Sequence, residues 1–200
     1  MIPIFSNKWY QTMAVILPNV LNLESHKLLL ENNSKAIKPS CCPHCGYGTL
    51  WGHGCYDRKA DRSNPPPEDN LNPIKIPRFY CPSCKKTCSV LPECLPERRW
   101  YQWIIQQAAF MFFLQGYSIR TIANFSIPSR STISRWVRLF KLAYQLISHR
   151  MRSLHPEIGY HSDFTDFWLY CFLTFSLSYV IYVIGGWWQI FLSLKEAEIT

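Results

Sequence analysis

Two cysteine pairs, Cys42-Pro43-His44-Cys45 and Cys81-Pro82-Ser83-Cys84, constrain this chain more than any other feature in it. A Cys-x-x-Cys turn folds back tightly enough to aim two sulfurs at one point. Two such turns supply the four soft ligands that tetrahedral Zn²⁺ takes, at Zn–S distances of about 2.3 Å. The spacing therefore predicts that Cys42, Cys45, Cys81 and Cys84 bind one Zn²⁺. Thirty-five residues separate the pairs. Residues 49–59, around Trp51 and Tyr56, read as a strand, and residues 74–80 as its partner. Residues 60–73 hold four Pro and three Asn and read as the irregular tip of a hairpin. Loop length is a weak objection, costing only about 0.6 kcal/mol per doubling. A hairpin carrying two cysteine knuckles is a zinc ribbon.

Other uses of paired cysteines compete with this one. Disulfides suit a secreted chain, but residues 1–25 do not read as a signal peptide. Lys8 comes early, and the apolar run after it is broken by Pro18. A cytoplasmic protein is expected instead. A redox pair sits alone at a helix start, not doubled across a hairpin. Cys41, Cys55, Cys88, Cys94 and Cys171 are left over. On position alone Cys41 competes with Cys42, and His44 or His53 would complete a three-sulfur site.

Charge says what such a ribbon could meet. The chain carries a formal +8, but residues 41–152 hold 16 Lys and Arg against 6 Asp and Glu, an excess of ten. A local excess of that size implies a polyanionic partner, nucleic acid first. The bland alternative is ordinary solubilising charge.

Hydropathy divides the 200 residues further. Residues 1–40 form a helical preface that caps the ribbon, with an apolar run at 13–17 and an amphipathic helix at 24–31 that turns Leu28, Leu29 and Leu30 inward. The ribbon occupies residues 41–97, with Lys85 and Lys86 placed to meet phosphates. Residues 98–152 form a three-helix bundle. Its first helix, 98–115, is apolar almost all round (Trp100, Trp103, Ile104, Ala108, Met111, Phe112, Leu114) and reads as a core helix. Gly116 stops it. Ser118 then caps a short helix at 119–124, and Ser129 caps another from 130 to about 144.

Two helices joined by a tight turn, the second basic, form a helix-turn-helix. Ile133, Trp136, Val137 and Phe140 recur at helical spacing and should pack on Ile122 and Ala123. Arg130, Ser131, Ser134, Arg135 and Arg138 lie on the other face, where Arg reads guanine and Ser bonds bases or phosphates. A generic bundle with a solvated basic face is the competing reading.

Residues 153–200 are a hydrophobic helical tail, and residues 167–194 hold no charge. That length allows a membrane span. Gly185-Gly186 splits the run, however, and Thr174, Ser176, Ser178 and Gln189 punctuate it. Two short helices, 164–175 and 176–184, fit better. They would pack on the bundle or on a second subunit, giving a homodimer through the C-terminal helices. The fold class expected is mainly α with a small β part.

Several segments resemble the zinc ribbon at the front of bacterial insertion-sequence transposases. They are Cys-Pro-x-Cys-Gly at 42–46, Gly52-His53-Gly54-Cys55-Tyr56-Asp57-Arg58, and Arg78-Phe79-Tyr80-Cys81-Pro82-Ser83-Cys84-Lys85-Lys86-Thr87. Gly116-Tyr117-Ser118-Ile119-Arg120-Thr121-Ile122-Ala123 and Ser129-Arg130-Ser131-Thr132-Ile133-Ser134-Arg135-Trp136 are similar to the helix-turn-helix that follows it. The resemblance covers about residues 41–140 and implies zinc, DNA, and an accessory or truncated transposase-like protein. Two positions depart from the pattern: Cys88 stands where an aromatic is usual, and Ile127 where the turn commonly has Gly.

Catalysis is not expected. Such transposases hold Mg²⁺ with an acidic triad in a ribonuclease-like fold, and only 60 residues follow Phe140. Asp163 and Asp166 read as helix-start acids. The alternative to a DNA-binding protein is a protein-binding ribbon adaptor anchored in a membrane by residues 164–194.

Overall fold

The computed structural model describes residues 14–32, 34–62, 71–97 and 100–184. They fall into two compact units, residues 1–100 and 101–200. The described chain is about half helical, with six α-helices and one four-stranded sheet.

In the first unit the strands are β1 (Ala14–Leu17), β2 (Trp51–Arg58), β3 (Ile74–Tyr80) and β4 (Thr87–Pro92). Their order is β1-β4-β3-β2, with β1 parallel to β4 and the other pairs antiparallel. The β2–β3 hairpin falls within the expected ranges 49–59 and 74–80. Asn72 closes its base: Oδ1 accepts from Ala60 N at 2.9 Å, and Nδ2 donates to Asp61 Oδ1 at 2.8 Å. Residues 63–70 of the expected loop lie outside the described residues.

Strands β1 and β4 were not legible in the sequence. Residues 13–17 read only as an apolar run and residues 88–95 as a connection. A four-residue strand has no room to show alternation, and its partner lies about seventy residues away in a parallel pairing. Once paired, β4 runs through the interior. Val90 and Leu91 point to opposite faces of the sheet, as neighbours on a strand must, and belong to separate apolar clusters. One gathers Leu23, Ile74, Ile76, Leu91 and Leu95; the other gathers Ile37, Cys42, Leu50, Phe79, Cys81, Cys88 and Val90.

Helix α1 (Leu23–Asn32) buries Leu23 and His26. Leu29 and Leu30 pack against the second cluster, but Leu28 is 56 % exposed. At about 100° per residue, three consecutive side chains cannot all face inward. The His26 Nε2–H donates to the Lys75 carbonyl at 3.0 Å, while Nδ1 is buried without a partner. Burial lowers the His26 pKa from its ordinary 6.5. A depressed folded value means the unfolded chain takes up the proton first as pH falls. Stability is therefore expected to decline below about pH 6.5, and His26→Gln, which can still donate to Lys75, should flatten that decline in denaturant titrations across pH.

The second unit holds α2 (Trp103–Leu114), α3 (Ile119–Phe125), α4 (Arg130–Leu154), α5 (Phe164–Thr174) and α6 (Leu177–Val183). The first helix starts at Trp103 rather than Arg98. Tyr101, just before it, has φ 73°, a backbone state that no helical residue adopts. Arg98 and Arg99 lie outside the described residues. Helix α4 runs ten residues past the expected end at Tyr144, because Ile147 and Met151 continue its buried stripe.

The tail helices complete this core instead of decorating it. Phe110 stacks on Phe140 at 4.3 Å and meets Trp168 and Phe172 edge-on at 5.5 and 5.9 Å. Phe167, Trp168, Leu177 and Val180 are fully buried. Gln107 holds the corner between α5 and α6, its Nε2 donating to Phe172 O at 3.2 Å and its Oε1 accepting from Leu177 N at 2.8 Å. Among the described residues no single helix is long and apolar enough to cross a membrane. The pair α5–α6 passes only as a unit bent by 109°. Residues 185–194 of the anchor reading lie outside the described residues.

A fragment ending at Arg152 would expose Phe110, Phe140 and Met151 together. It is expected to lose cooperative thermal unfolding and to bind a hydrophobic dye, where the full chain melts sharply.

Candidate metal centre and basic helix face

The two knuckles are built alike. Cys42 N donates to Tyr47 O and Gly46 N to Cys42 O, each at 2.9 Å; Cys81 N donates to Lys86 O and Lys85 N to Cys81 O, again at 2.9 Å. Each turn needs a left-handed residue four positions after its first cysteine. Gly46 fills it in one (φ 75°) and Lys85 in the other (φ 56°). Glycine adopts that conformation freely, so Lys85 is held there against its own preference.

The turns bring Cys42, Cys45, Cys81 and Cys84 together, with all four Sγ atoms within 4.8 Å of one another. Cys42 Sγ lies 3.7 Å from Cys84 Sγ, and Cys45 Sγ 3.6 Å from Cys81 Sγ. These are not disulfides, whose bond is about 2.05 Å. Four sulfurs at about 2.3 Å from a common centre stand about 3.8 Å apart in a tetrahedron. The donor set therefore fits a tetrahedral thiophilic metal ion.

Charge inside the cluster is divided unequally. The backbone of Tyr47 draws the exposed Cys45 thiol down to about 7. Desolvation pushes Cys84 up to about 12, aided by its three sulfur neighbours. A bound divalent cation reverses such opposition, since a coordinating thiol is deprotonated outright.

The competing ligands stand apart. Among the described residues the grouping that can hold a metal contains neither Cys41, His44 nor His53. Cys41 and Cys55 are exposed. His53 packs on the Tyr80 ring at 5.9 Å, and His44 Nε2 lies 3.4 Å from Thr87 O. Cys88 is buried in the same apolar cluster, and desolvation followed by the charges of Cys42 and Cys81 raises its pKa. Cys94 and Cys171 sit in apolar interiors, each pushed to about 12 by burial.

The second expected site lies on α3 and α4. Ser118 Oγ accepts from Thr121 N at 3.1 Å and Ser129 Oγ from Thr132 N at 3.4 Å, so both caps form where the sequence places them. Ser126 Oγ donates to Ile122 O at 2.7 Å across the turn. Ile127 needs no left-handed conformation, so the turn closes without glycine. Ile122, Ile133, Trp136, Val137 and Phe140 are buried in one core, with Ala123 packed against it. Arg130, Ser131, Ser134, Arg135 and Arg138 are all exposed on the opposite side. Among the described residues the side chains of these three arginines make no hydrogen bond or ion pair. Lys85 and Lys86 are exposed at the second knuckle.

The tail acids are occupied locally. Asp163 caps α5 by accepting from Thr165 N at 2.7 Å and Asp166 N at 3.2 Å. Asp166 pairs with His161 at 2.8 Å.

These features define a chain with a cluster of four cysteines that could hold a metal ion in one unit and a capped, basic helix pair in the other. Residues 42–136 match the model of a domain of unknown function, DUF6431. The match opens on the first cluster cysteine and closes on a core residue of α4. No curated protein and no solved structure matches the chain.

Replacing Cys42 or Cys81 by Ser is expected to abolish bound metal, measured by emission spectrometry on purified protein, and to unfold the hairpin. Cys41→Ser should leave both intact.

Proposed function

We propose that this chain is a cytoplasmic DNA-binding protein in which a zinc ribbon precedes a helix-turn-helix, a transposase-like accessory or truncated transposase without a catalytic domain of its own. The observation that carries the reading is the face of α4. Three arginines stand exposed and uncommitted on a helix whose other side is locked in a core and whose start is capped. Arginines in that position can reach base edges in a major groove, while the net excess on residues 41–152 supplies affinity by counterion release. One family model takes in the cysteine cluster, α3 and the start of α4 with Arg130 and Arg135, which supports treating them as one functional stretch.

Zinc is the metal the four-thiolate set favours, and its role is structural, because four protein ligands leave no position for water. Unbridged thiols in the cluster suit a reducing cytoplasm. A membrane-anchored adaptor would need α5 and α6 free, whereas Phe167, Trp168, Phe172, Leu177, Val180 and Ile181 are spent in the core. Leu173 and Tyr182, 78 % and 81 % exposed, are what a second copy would cover in a homodimer.

Gel shifts of zinc-loaded protein on duplex DNA across a salt series test the reading. Arg130→Ala or Arg135→Ala is expected to cost about 1–3 kcal/mol on preferred sites and to blur sequence preference. Lys85→Gly, which relieves the knuckle backbone while removing a charge, and Lys86→Ala should weaken all sequences alike and flatten the salt slope. Equal effects from all four would show that α4 is not a reader, and an unshifted duplex at low salt would sink the proposal.

A further inference from the structure

We propose that the β2 edge of the first unit is a stacking platform for single-stranded DNA, distinct from the arginine face of α4. The site goes beyond the duplex reading and does not depend on it.

Strand β2 is the outermost of the sheet, and seven of its eight residues are exposed. Trp51 is 58 % exposed and Tyr56 37 %. Neither is left over from a core: Trp51 and His53 both pack on the Tyr80 ring, at 6.2 and 5.9 Å, and form one aromatic surface. Glycines separate these rings. Gly52 faces away from Trp51, as neighbours on a strand must, so no side chain rises between Trp51 and His53 on the ring face.

Charge lies at the same end of the sheet. Tyr80 pairs with Trp51 on one side and Thr87 on the other, and the exposed Lys85 and Lys86 immediately precede Thr87. The Arg78 guanidinium sits over Tyr56 at 5.9 Å. Asp57 is the one acid on β2 and β3. Open aromatic faces beside cations are what an unpaired strand requires, its bases stacking and its phosphates meeting the lysines. A duplex keeps its bases stacked inside and cannot use the rings.

Edge strands also recruit other strands, but this one is poorly shaped for that. The register shifts between Gly52 and Cys55, and Gly54 has φ 72°. A bulge at that place interrupts the ladder a second copy or a peptide would extend.

The test is a fluorescence-anisotropy titration of zinc-loaded full-length protein with labelled oligothymidylate, beside a labelled duplex and oligouridylate. The unaltered chain should bind oligothymidylate in a salt-dependent way. Trp51→Ala should weaken that binding about tenfold, the effect of losing one stacked base. Tyr56→Ala, which removes the second exposed ring and leaves Trp51 in place, should weaken it comparably. Both variants should retain metal and duplex affinity, and Arg130→Ala should leave oligothymidylate binding unchanged. If Trp51→Ala loses its metal, Tyr56→Ala decides. Unchanged oligothymidylate binding in Tyr56→Ala overturns the platform. A dimer in sedimentation that Trp51→Ala abolishes overturns it in favour of a second copy, and preference for oligouridylate overturns the assignment to DNA. Loss of duplex binding alone in the unaltered chain would sink the α4 reading and leave this one standing.

Discussion

Four sulfurs drawn within 4.8 Å of one another set the terms for the first unit. Two come from residues 42–45 and two from residues 81–84, so their convergence depends on the β2–β3 pairing that places Trp51 opposite Tyr80. The apolar cluster around them is small, and Cys42, Cys81 and Cys88 are themselves part of it. A core of that size contributes little against chain entropy, and small folds add a crosslink or metal to make up the difference. Metal affinity in such a site is folding free energy, because the unfolded chain has no preformed donor set. The twin knuckle geometry, with Lys85 forced into a glycine's conformation, shows that the backbone is shaped for the sulfurs first.

The sequence was most informative where the physics is local. Cysteine spacing marked the cluster, the Pro- and Asn-rich tip at 60–73 marked the start of Ile74–Tyr80, and Ser118 and Ser129 marked two helix starts by their own side chains. The tail helices were also legible, from Asp163 and Ser176 at their starts. It failed where partners are distant. Ala14–Leu17 becomes a strand only beside Ser89–Pro92, and nothing within four residues announces that. Leu28 shows the opposite error, a run of leucines read as one face when the helix turns one of them out.

The tail's composition allowed a membrane span, but the two short helices read there pack on the bundle. Residues 164–184 look like a membrane segment because they are apolar, and they are apolar because α2 and α4 have aromatic faces to cover. Phe110 alone meets Phe140, Trp168 and Phe172. Burial on every side produces the same hydropathy as a bilayer, and only the 109° bend and the polar clamp at Gln107 separate the two cases. Clamping both backbone groups of a corner with one glutamine is a device of folded interiors, where each free N–H and C=O must find a partner.

Helix α4 then divides its labour along its length as well as around it. Its first three turns hold the exposed arginines outside and Ile133, Trp136 and Val137 inside; its last turns hold Ile147 and Met151 against the rest of the core. A group that must meet a partner at a fixed place is best carried on an element whose own position is over-determined. The buried stripe of α4 supplies that, since every turn has at least one side chain fixed in a close-packed interior. Substitutions in α5 or α6 would therefore act on the arginine face indirectly, by loosening Phe140 and the helix that carries it, without touching any partner.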